Sequence, residues 1–368
     1  MNPLDELFMA ETMTEQVIEF ADQSEENSFI GVYEDGARIE PIGDDFTFDE
    51  VEFSRGLAPV TTPQSPSKPR VPIGVKKRAG RIYAIKAHVD LPWHILAMAK
   101  GANMGGAPDP AKWLADNLLN LTNEINRTRN YWAAQSFLSG SVALHNLPNA
   151  DLGGAPVTLT YPVATLDAAQ SWALAATKVR GLMNTLKKTY RRNVGFNAGE
   201  AIASDTVEGY ITDNEQISNP VNGVPTLAQR KIENSYLEGG SLMRFGGIDW
   251  RFAADYYVTD ANQATAVAAD TAATTTDVAS DADIVAVLPP AARRQECFAI
   301  AEGRVGIPNG LLTSMAVGQL SSLIAEVRGW AAYLELLTNP IGVRLHVEWH
   351  GNLIQKRRRA VLAYNTTP

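Results

Sequence analysis

The 368-residue chain has a single cysteine, Cys297, and only five histidines. One cysteine excludes an intrachain disulfide, and so few histidines leave little material for catalytic or metal-binding sets. No apolar run approaches the roughly twenty residues that a membrane helix needs. The first twenty residues, MNPLDELFMAETMTEQVIEF, are acidic where a signal peptide is basic. These features favour a reducing compartment and no membrane partner.

Motifs of the common enzyme classes are also missing. The segment GANMGGA, residues 101–107, precedes a helix as phosphate loops do, but it lacks the terminal Gly-Lys-Ser/Thr. Pro108 and Pro110 also remove backbone amides that would bind a phosphate. No Gly-x-Ser-x-Gly elbow occurs in the chain. We therefore expect a protein that is not an enzyme, with no catalytic residues and no cofactor.

One histidine pattern keeps a metal-dependent enzyme open as an alternative. In VRLHVEWHGN, the side chains of His346, Glu348 and His350 would share one face of a strand, and such sets can bind metals. The helical His-Glu-x-x-His spacing is absent, and no cysteine or further histidine nearby in the sequence completes the set. A polar sheet face is the simpler interpretation, so we predict no metal site.

Charge is unevenly distributed along a chain whose net charge is −9. Residues 1–53 contain sixteen acidic residues and one basic residue, Arg38, a balance of −15. Residues 54–101 contain nine Lys or Arg and one Asp, a balance of +8. Adjacent segments of opposite sign often meet, within one molecule or between molecules, and two solvated faces are an equally good explanation.

A long amphipathic helix is the strongest pattern in the chain. Asp109 is a suitable N-cap, Pro110 suits the first turn and Gly140 suits a left-handed end, so we predict a helix over 110–139. Its apolar stripe comprises Leu114, Leu118, Leu121, Ile125, Thr128 and Trp132. Its opposite face is polar and comprises Lys112, Asp116, Asn123, Glu124 and Arg127. The helix is long enough to back a large sheet or to form the spine of a self-assembling subunit.

The segment before this helix predicts a protruding two-stranded loop. Strands are expected at 30–40 and 46–53, with a turn at 42–45. Five prolines between 59 and 72 then block regular structure, and RIYAIKAHV forms the return strand. We place the tip at 74–80. A loop this long needs a partner, and a neighbouring subunit is the natural one.

The rest of the chain reads as a mixed α/β block followed by strands. A second helix is expected at about 167–190, with strands in GFNAGEAIAS, IDWRFAADYYVT and ECFAIAEGRV. The segment 261–290 is rich in Ala and Thr and is predicted to be a surface loop or hairpin. The first thirty residues resemble an arm more than a core element, although they could hold a short amphipathic helix.

Two basic runs bear on nucleic acid. Lys76-Lys77-Arg78 and Lys356-Arg357-Arg358-Arg359 could contact phosphates. The aromatic residues do not interleave with either run as stacking platforms would, and the chain is acidic overall. We expect at most a passive, non-specific contact with nucleic acid.

The order of these segments resembles the lambda-like major capsid proteins of tailed bacteriophages, the phage capsid E family. FTFDEVEFSRGLAPVTTP and RIYAIKAHVDLP are similar to the two sides of that family's extended loop. DPAKWLADNLLNLTNEINRTRNYWAAQSFLSG resembles its spine helix, and YVTDANQ and FAIAEGRVGIPNG resemble its late strands. GWAAYLELLTNPIGVRLHVEWHGNLIQKRRRAVLAYNT resembles its terminal return.

The resemblance implies an α+β fold, the tailed-phage major capsid fold. It would place an N-terminal arm and entry strands at 1–53 and the extended β-hairpin loop at 54–95. A peripheral domain at 96–160 would contain the spine helix, an axial α/β domain would span 161–328, and residues 329–368 would return to the peripheral domain.

The resemblance also implies a structural function. The chain would form pentamers and hexamers of an icosahedral phage head that encloses double-stranded DNA, assembled in the host cytoplasm and located in the virion. Portal, scaffold and decoration proteins are further candidate partners. An encapsulin-like cargo shell of the same fold is the alternative. Candidate contacts between subunits are Lys76, Lys77, Arg78, Arg81, Phe46, Phe48 and Tyr83.

Overall fold

The computed structural model describes residues 10–22, 29–51, 75–92, 110–146, 156–174, 176–214, 242–253, 256–257, 276–277, 284–308, 324–338 and 341–367. In these residues the α-helices are α1 Ala10–Asp22, α2 Ile30–Glu34, α3 Pro110–Leu138, α4 Val179–Val194, α5 Asp205–Thr212 and α6 Arg294–Cys297. The strands of the first half are β1 Ala37–Ile39, β2 Asp45–Val51, β3 Val75–Arg81, β4 Tyr83–Pro92, β5 Ser141–Ala143, β6 Thr158–Thr160 and β7 Ala164–Asp167. Those of the middle are β8 Glu200–Ser204, β9 Leu242–Phe245, β10 Ile248–Ala253, β11 Tyr256–Tyr257, β12 Thr276–Asp277 and β13 Ile284–Leu288. The last are β14 Phe298–Glu302, β15 Arg304–Pro308, β16 Ile324–Arg328, β17 Trp330–Thr338, β18 Ile341–Gln355 and β19 Leu362–Asn365.

Helix α3 confirms the predicted spine. Every member of its predicted apolar stripe except Thr128 is at most 5% exposed, whereas Thr128 hydrogen-bonds to the Glu124 carbonyl at an exposed position. Gly140 has φ = +69°, as a left-handed helix end requires. The proposed cap, Asp109, lies outside the described residues. No helix in the described part of the chain is long and apolar enough to cross a bilayer.

Helix α1 corrects the expectation that the first thirty residues contribute little to the core. Met13 and Val17 are completely buried, and the helix packs against α3 and β17. Thr14 fixes the contact because its Oγ1 accepts a hydrogen bond from the Ala332 amide at 3.0 Å. One apolar stripe on a 13-residue helix is therefore enough to dock it on a sheet.

The strand predicted at 30–40 is wrong in its first half. Residues Ile30–Glu34 form helix α2, and only Ala37–Ile39 are extended. The Asn130 side chain on α3 accepts hydrogen bonds from the Phe29 and Ile30 amides at 2.9 and 3.1 Å. A buried side chain from the spine helix thus caps α2, a contact that local propensity cannot report.

A five-stranded sheet packs against α1 and α3. Its path is β1-β14-β18-β17, with β4 paired to β18, and all pairs except β1–β14 are antiparallel. Strand β18 has one fully buried apolar face, and Glu348 on its other face is also only 3% exposed. Leu345, Val347 and Trp349 are completely buried, so they face the helices.

A six-stranded mixed sheet with the order β7-β19-β13-β8-β10-β9 forms the second layer. Helix α4 packs on it through Val179, Met183, Leu186 and Tyr190. The helix predicted at 167–190 starts twelve residues too early, because Ala164–Asp167 extend the sheet beside β19. Trp172, which lies in the segment predicted to be helical, is buried against Trp250 and Tyr364 from a turn.

The loop predicted at 261–290 is wrong at its end. Residues Ile284–Leu288 form strand β13, which lies in the middle of the six-stranded sheet and is almost entirely buried. Four consecutive apolar residues, Val285 to Leu288, allow burial on both faces. Most of 261–283, together with 215–241 and the Asn339-Pro340 turn, lies outside the described residues.

Sheet membership crosses the domain limit expected at 329. Strand β19 joins β7, β13 and β8 in the six-stranded sheet, whereas β14 joins β18 in the five-stranded sheet. Residues 284–308 and residues 341–367 thus each contribute strands to both sheets, and so they connect the two sheets covalently.

Candidate subunit-contact surface

The hairpin formed by β2 and β3 is the candidate contact surface. The two strands are antiparallel, with Phe48 opposite Arg78, Asp49 opposite Lys77 and Glu50 opposite Lys76. The predicted tip at 74–80 is therefore wrong, because Val75–Arg81 form a strand paired with β2. The 23 residues that connect the two strands lie outside the described part of the chain.

Opposite charges meet within this hairpin. The Arg78 guanidinium donates to the Glu50 carboxylate at 2.8 Å, with side-chain exposures of 57% and 8%. Lys77 of β3 likewise lies opposite an acidic residue of β2, Asp49. Part of the acidic and basic asymmetry seen in the sequence is thus satisfied inside one subunit.

Aromatic packing anchors the hairpin to the body of the subunit. Phe46 is 4% exposed and packs with Ala299, Ala301 and Ile354 of the five-stranded sheet. Gly80 makes this possible, because a Cβ there would lie 2.3 Å from the Phe46 ring. Phe48, half-buried, lies with its ring centroid 6.1 Å from that of Phe46.

The end of β2 is tied to the turn at residues 356–359. The Val51 amide donates to the Lys356 carbonyl at 2.9 Å, and the Arg358 amide donates to Val51 at 3.4 Å. A pocket of about 530 Å³ lies beneath the hairpin, lined by residues of β2, β3, β6 and β18 together with Arg358. The end of the hairpin that leads into the connecting residues is therefore held in a fixed position.

The predicted contact residues divide into two groups. Lys76, Lys77, Arg78 and Arg81 are exposed on β3. Phe46 is buried within its own subunit, and Tyr83 is partly buried with its ring 6.3 Å from that of Trp132. The four cations thus lie on the outside of the hairpin, although Arg78 is already paired with Glu50. Phe46 and Tyr83 mainly stabilise the subunit itself, and Phe48 is half-buried.

The face of β18 that holds His346, Glu348 and His350 is a hydrogen-bonded polar surface. Glu348, 3% exposed, accepts hydrogen bonds from His350 at 2.8 Å, Tyr333 at 2.8 Å and Lys86 at 3.2 Å. Burial alone would raise the pKa of Glu348, but these three donors together lower it to about 2. One carboxylate thereby joins β4, β17 and β18.

The three residues proposed for a metal do not converge on one point. The ring of His346 stacks on Tyr333, with centroids 4.8 Å apart, and its Nε2 lies 2.9 Å from the Glu335 carboxylate. His350 faces Glu348 instead. In the described residues, no group of three or more His, Cys, Asp or Glu side chains is arranged to hold a metal.

Sequence reasoning missed Arg129, whose side chain is 2% exposed. It donates to Glu34 at 2.7 Å and to Asn126 at 2.8 Å, and its guanidinium lies 4.7 Å from the Trp349 ring centroid. The available signal was its position four residues after Ile125, on the buried stripe. A charge at a buried position predicts a buried ion pair, and here Arg129 of α3 contacts both α2, through Glu34, and β18, through Trp349.

Comparison with known proteins decides the family. The model of the phage major capsid protein E family matches residues 42–290, more than half of the chain. The chain belongs to this family. A search of curated protein sequences gives no match.

Two solved structures share the fold of this chain. A structure described as a prophage capsid protein of E. coli CFT073 has a TM-score of 0.51 at 9% identity, covering 96% of this chain and 98% of that one. A phage-related protein of Bordetella bronchiseptica RB50 has a TM-score of 0.51 at 10% identity, covering 97% of each. The chain therefore has the tailed-phage capsid fold and, as a member of this family, a structural role in the virion.

Proposed function

We propose that this capsid protein assembles into the pentamers and hexamers of an icosahedral phage head that encloses double-stranded DNA. The observation that carries the proposal is the family match, which spans the hairpin, the spine helix and β13. We further propose assembly in the host cytoplasm, with portal, scaffold and decoration proteins as partners.

The hairpin supports self-association. Strand β3 pairs with β2 along one edge, and in the described residues no strand pairs with its other edge. An open edge with four exposed cations resists random strand addition but can accept an acidic partner in one register. We propose that Lys76, Lys77, Arg78 and Arg81 face a neighbouring subunit, with Phe46, Phe48 and Tyr83 as the apolar support.

The division of the chain is proposed in the same terms. The five-stranded sheet with α3 corresponds to the peripheral part, and the six-stranded sheet with α4 corresponds to the axial part. Strand β14 comes from the segment expected in the axial part but lies in the five-stranded sheet, and β19 comes from the segment expected in the peripheral part but lies in the six-stranded sheet. In this proposal the peripheral and axial parts therefore move as one unit.

Electron microscopy of the purified protein, combined with nuclease protection of DNA in native particles, tests the proposal. Closed shells or capsomers with protected DNA are expected. Closed shells that contain protein and no protected DNA would identify the encapsulin-like alternative. A protein that stays a monodisperse monomer at roughly tens of micromolar would contradict assembly altogether.

The metal-dependent alternative has its own test. In the double variant His346→Ala/His350→Ala, metal content measured on the purified protein should be unchanged. Stoichiometric zinc that is lost in this variant would restore the alternative.

A further inference from the structure

Helix α4 presents an unusually basic outer face. Residues 178–195 contain six Lys or Arg and no Asp or Glu, in a chain whose net charge is −9. Lys188, Arg191 and Arg192 are exposed, opposite the buried side of the helix. Attraction to the helix C-terminus accounts for cations in the last turn, but it extends only about one turn and does not reach Arg180.

A second group of arginines adjoins the end of this helix. The Tyr190 hydroxyl donates to the Ala360 carbonyl at 2.9 Å, which places the helix beside the turn at residues 356–359. Just after the helix, the Phe196 ring lies 4.9 Å from the Arg357 guanidinium and 5.8 Å from that of Arg293. Segments far apart in sequence thus bring cations to the region around the C-terminal end of α4. Five exposed cations among them, Lys188, Arg191, Arg192, Arg293 and Arg359, are called the basic surface here.

Glu296, an acidic residue next to the basic surface, does not neutralise it. Glu296 contacts both Arg293, at 2.6 Å, and Arg357, at 3.4 Å, so one negative charge serves two guanidinium groups. The backbone of Arg359 is in the left-handed region, with φ = 62°. Among the residues that the structure describes, every other residue with a positive φ is a glycine. Glycine would suit this position better, so the guanidinium is kept at a conformational cost.

We propose that this basic surface binds the phosphate backbone of double-stranded DNA. The proposal rests on the proposed function, in which the shell encloses DNA. Arginine favours phosphate because its planar group donates two parallel hydrogen bonds. Lys188 and Arg192 are four residues apart on the helix, so their Cβ atoms are roughly 5–6 Å apart. A DNA duplex presents one phosphate charge per about 1.7 Å of its axis, so both cations can contact phosphates of the same duplex. The contact is independent of base sequence, because it reads phosphates alone.

Fluorescence anisotropy of the full-length protein with a labelled duplex, at several salt concentrations, tests the proposal. The variant Lys188→Gln/Arg191→Gln/Arg192→Gln should lower the slope of log affinity against log salt by about three, since each lost phosphate contact removes about 0.9. The control Arg38→Gln/Lys112→Gln/Arg328→Gln removes the same charge from exposed positions elsewhere and should leave the slope unchanged. Equal losses in both variants, or no loss in the first, would overturn the proposal.

Two further measurements keep folding and partner class separate. Arg359→Gly removes a cation where glycine relieves the backbone, so it should reduce the slope by about one without lowering the melting temperature. Poly-glutamate that competes as strongly as DNA, with the same dependence on the variants, would assign the surface to an acidic protein segment and overturn the proposal. Shell formation, scored by electron microscopy, reports separately on the proposed function.

Discussion

The Arg78 guanidinium lies 2.8 Å from the Glu50 carboxylate across the β2–β3 hairpin, so a cation proposed for a neighbour already has a partner in its own subunit. Such a pair, with Arg78 more than half exposed, contributes at most about 1 kcal/mol to folding. Its larger effect is to fix the direction of the Arg78 side chain. In the proposed contact, the charge of β3 would therefore lie on a surface that is organised before a neighbouring subunit arrives.

The first prediction concerns this charged strand. The variant Lys76→Glu/Lys77→Glu/Arg78→Glu should fold but assemble more slowly, because charge complementarity mainly sets encounter rate and register. Light scattering follows the assembly rate, and circular dichroism checks folding. The charge swap Glu50→Arg/Arg78→Glu is the matched control, because it keeps the pair and the net charge. Wild-type assembly by the triple variant would remove β3 from the contact.

The second prediction concerns the close approach of Gly80 to Phe46. Gly80→Ala should lower the free energy of unfolding by about 1–3 kcal/mol, because its Cβ would lie 2.3 Å from a buried ring. Phe46→Leu should partly rescue this variant. Gly181→Ala on α4 is the control, since a Cβ there meets nothing within 4 Å, and it should stabilise by about 0.5–1 kcal/mol. Urea unfolding measures all three, and an unchanged Gly80→Ala midpoint would contradict the packing described.

The third prediction concerns Glu348 and pH. Its pKa is lowered from 4.5 to about 2, so its stabilising contribution is present above about pH 4.5 and is lost as pH falls toward 2. Glu348→Gln should destabilise the subunit by on the order of 2 kcal/mol at neutral pH and flatten the acid limb of stability against pH. Glu335→Gln is the control, because Glu335 is half exposed, and it should change little. Parallel acid limbs for wild type and Glu348→Gln would contradict the assignment.

The fourth prediction concerns α1 as a core element. Met13→Ala should cost about 2–4 kcal/mol, because the side chain is completely buried against α3 and β17. Ile18→Ala changes the exposed side of the same helix, where the side chain is 40% exposed, and should cost less than about 0.5 kcal/mol. Thermal unfolding separates the two. Equal small effects would mean that the segment behaves as a free arm in solution.

The sequence by itself determined the spine helix and the apolar face of β18. These features depend on periodicity and residue type, which are local: Leu114, Leu118 and Leu121 share a helical face in any fold, and Leu345, Val347 and Trp349 share a strand face. The order of such segments was also enough for the resemblance to phage capsid proteins, which the family match confirms.

The tertiary structure alone decided which local patterns were overridden and which charges meet. Residues Ile30–Glu34 are helical because Asn130, a hundred residues away, caps them, and β13 is buried because two strands flank it. Likewise, Arg129 is held between Glu34 and Trp349, and Tyr190 brings α4 beside the arginine-rich turn. Each of these contacts joins residues distant in sequence, and their energies depend on distance and burial, which no local pattern encodes.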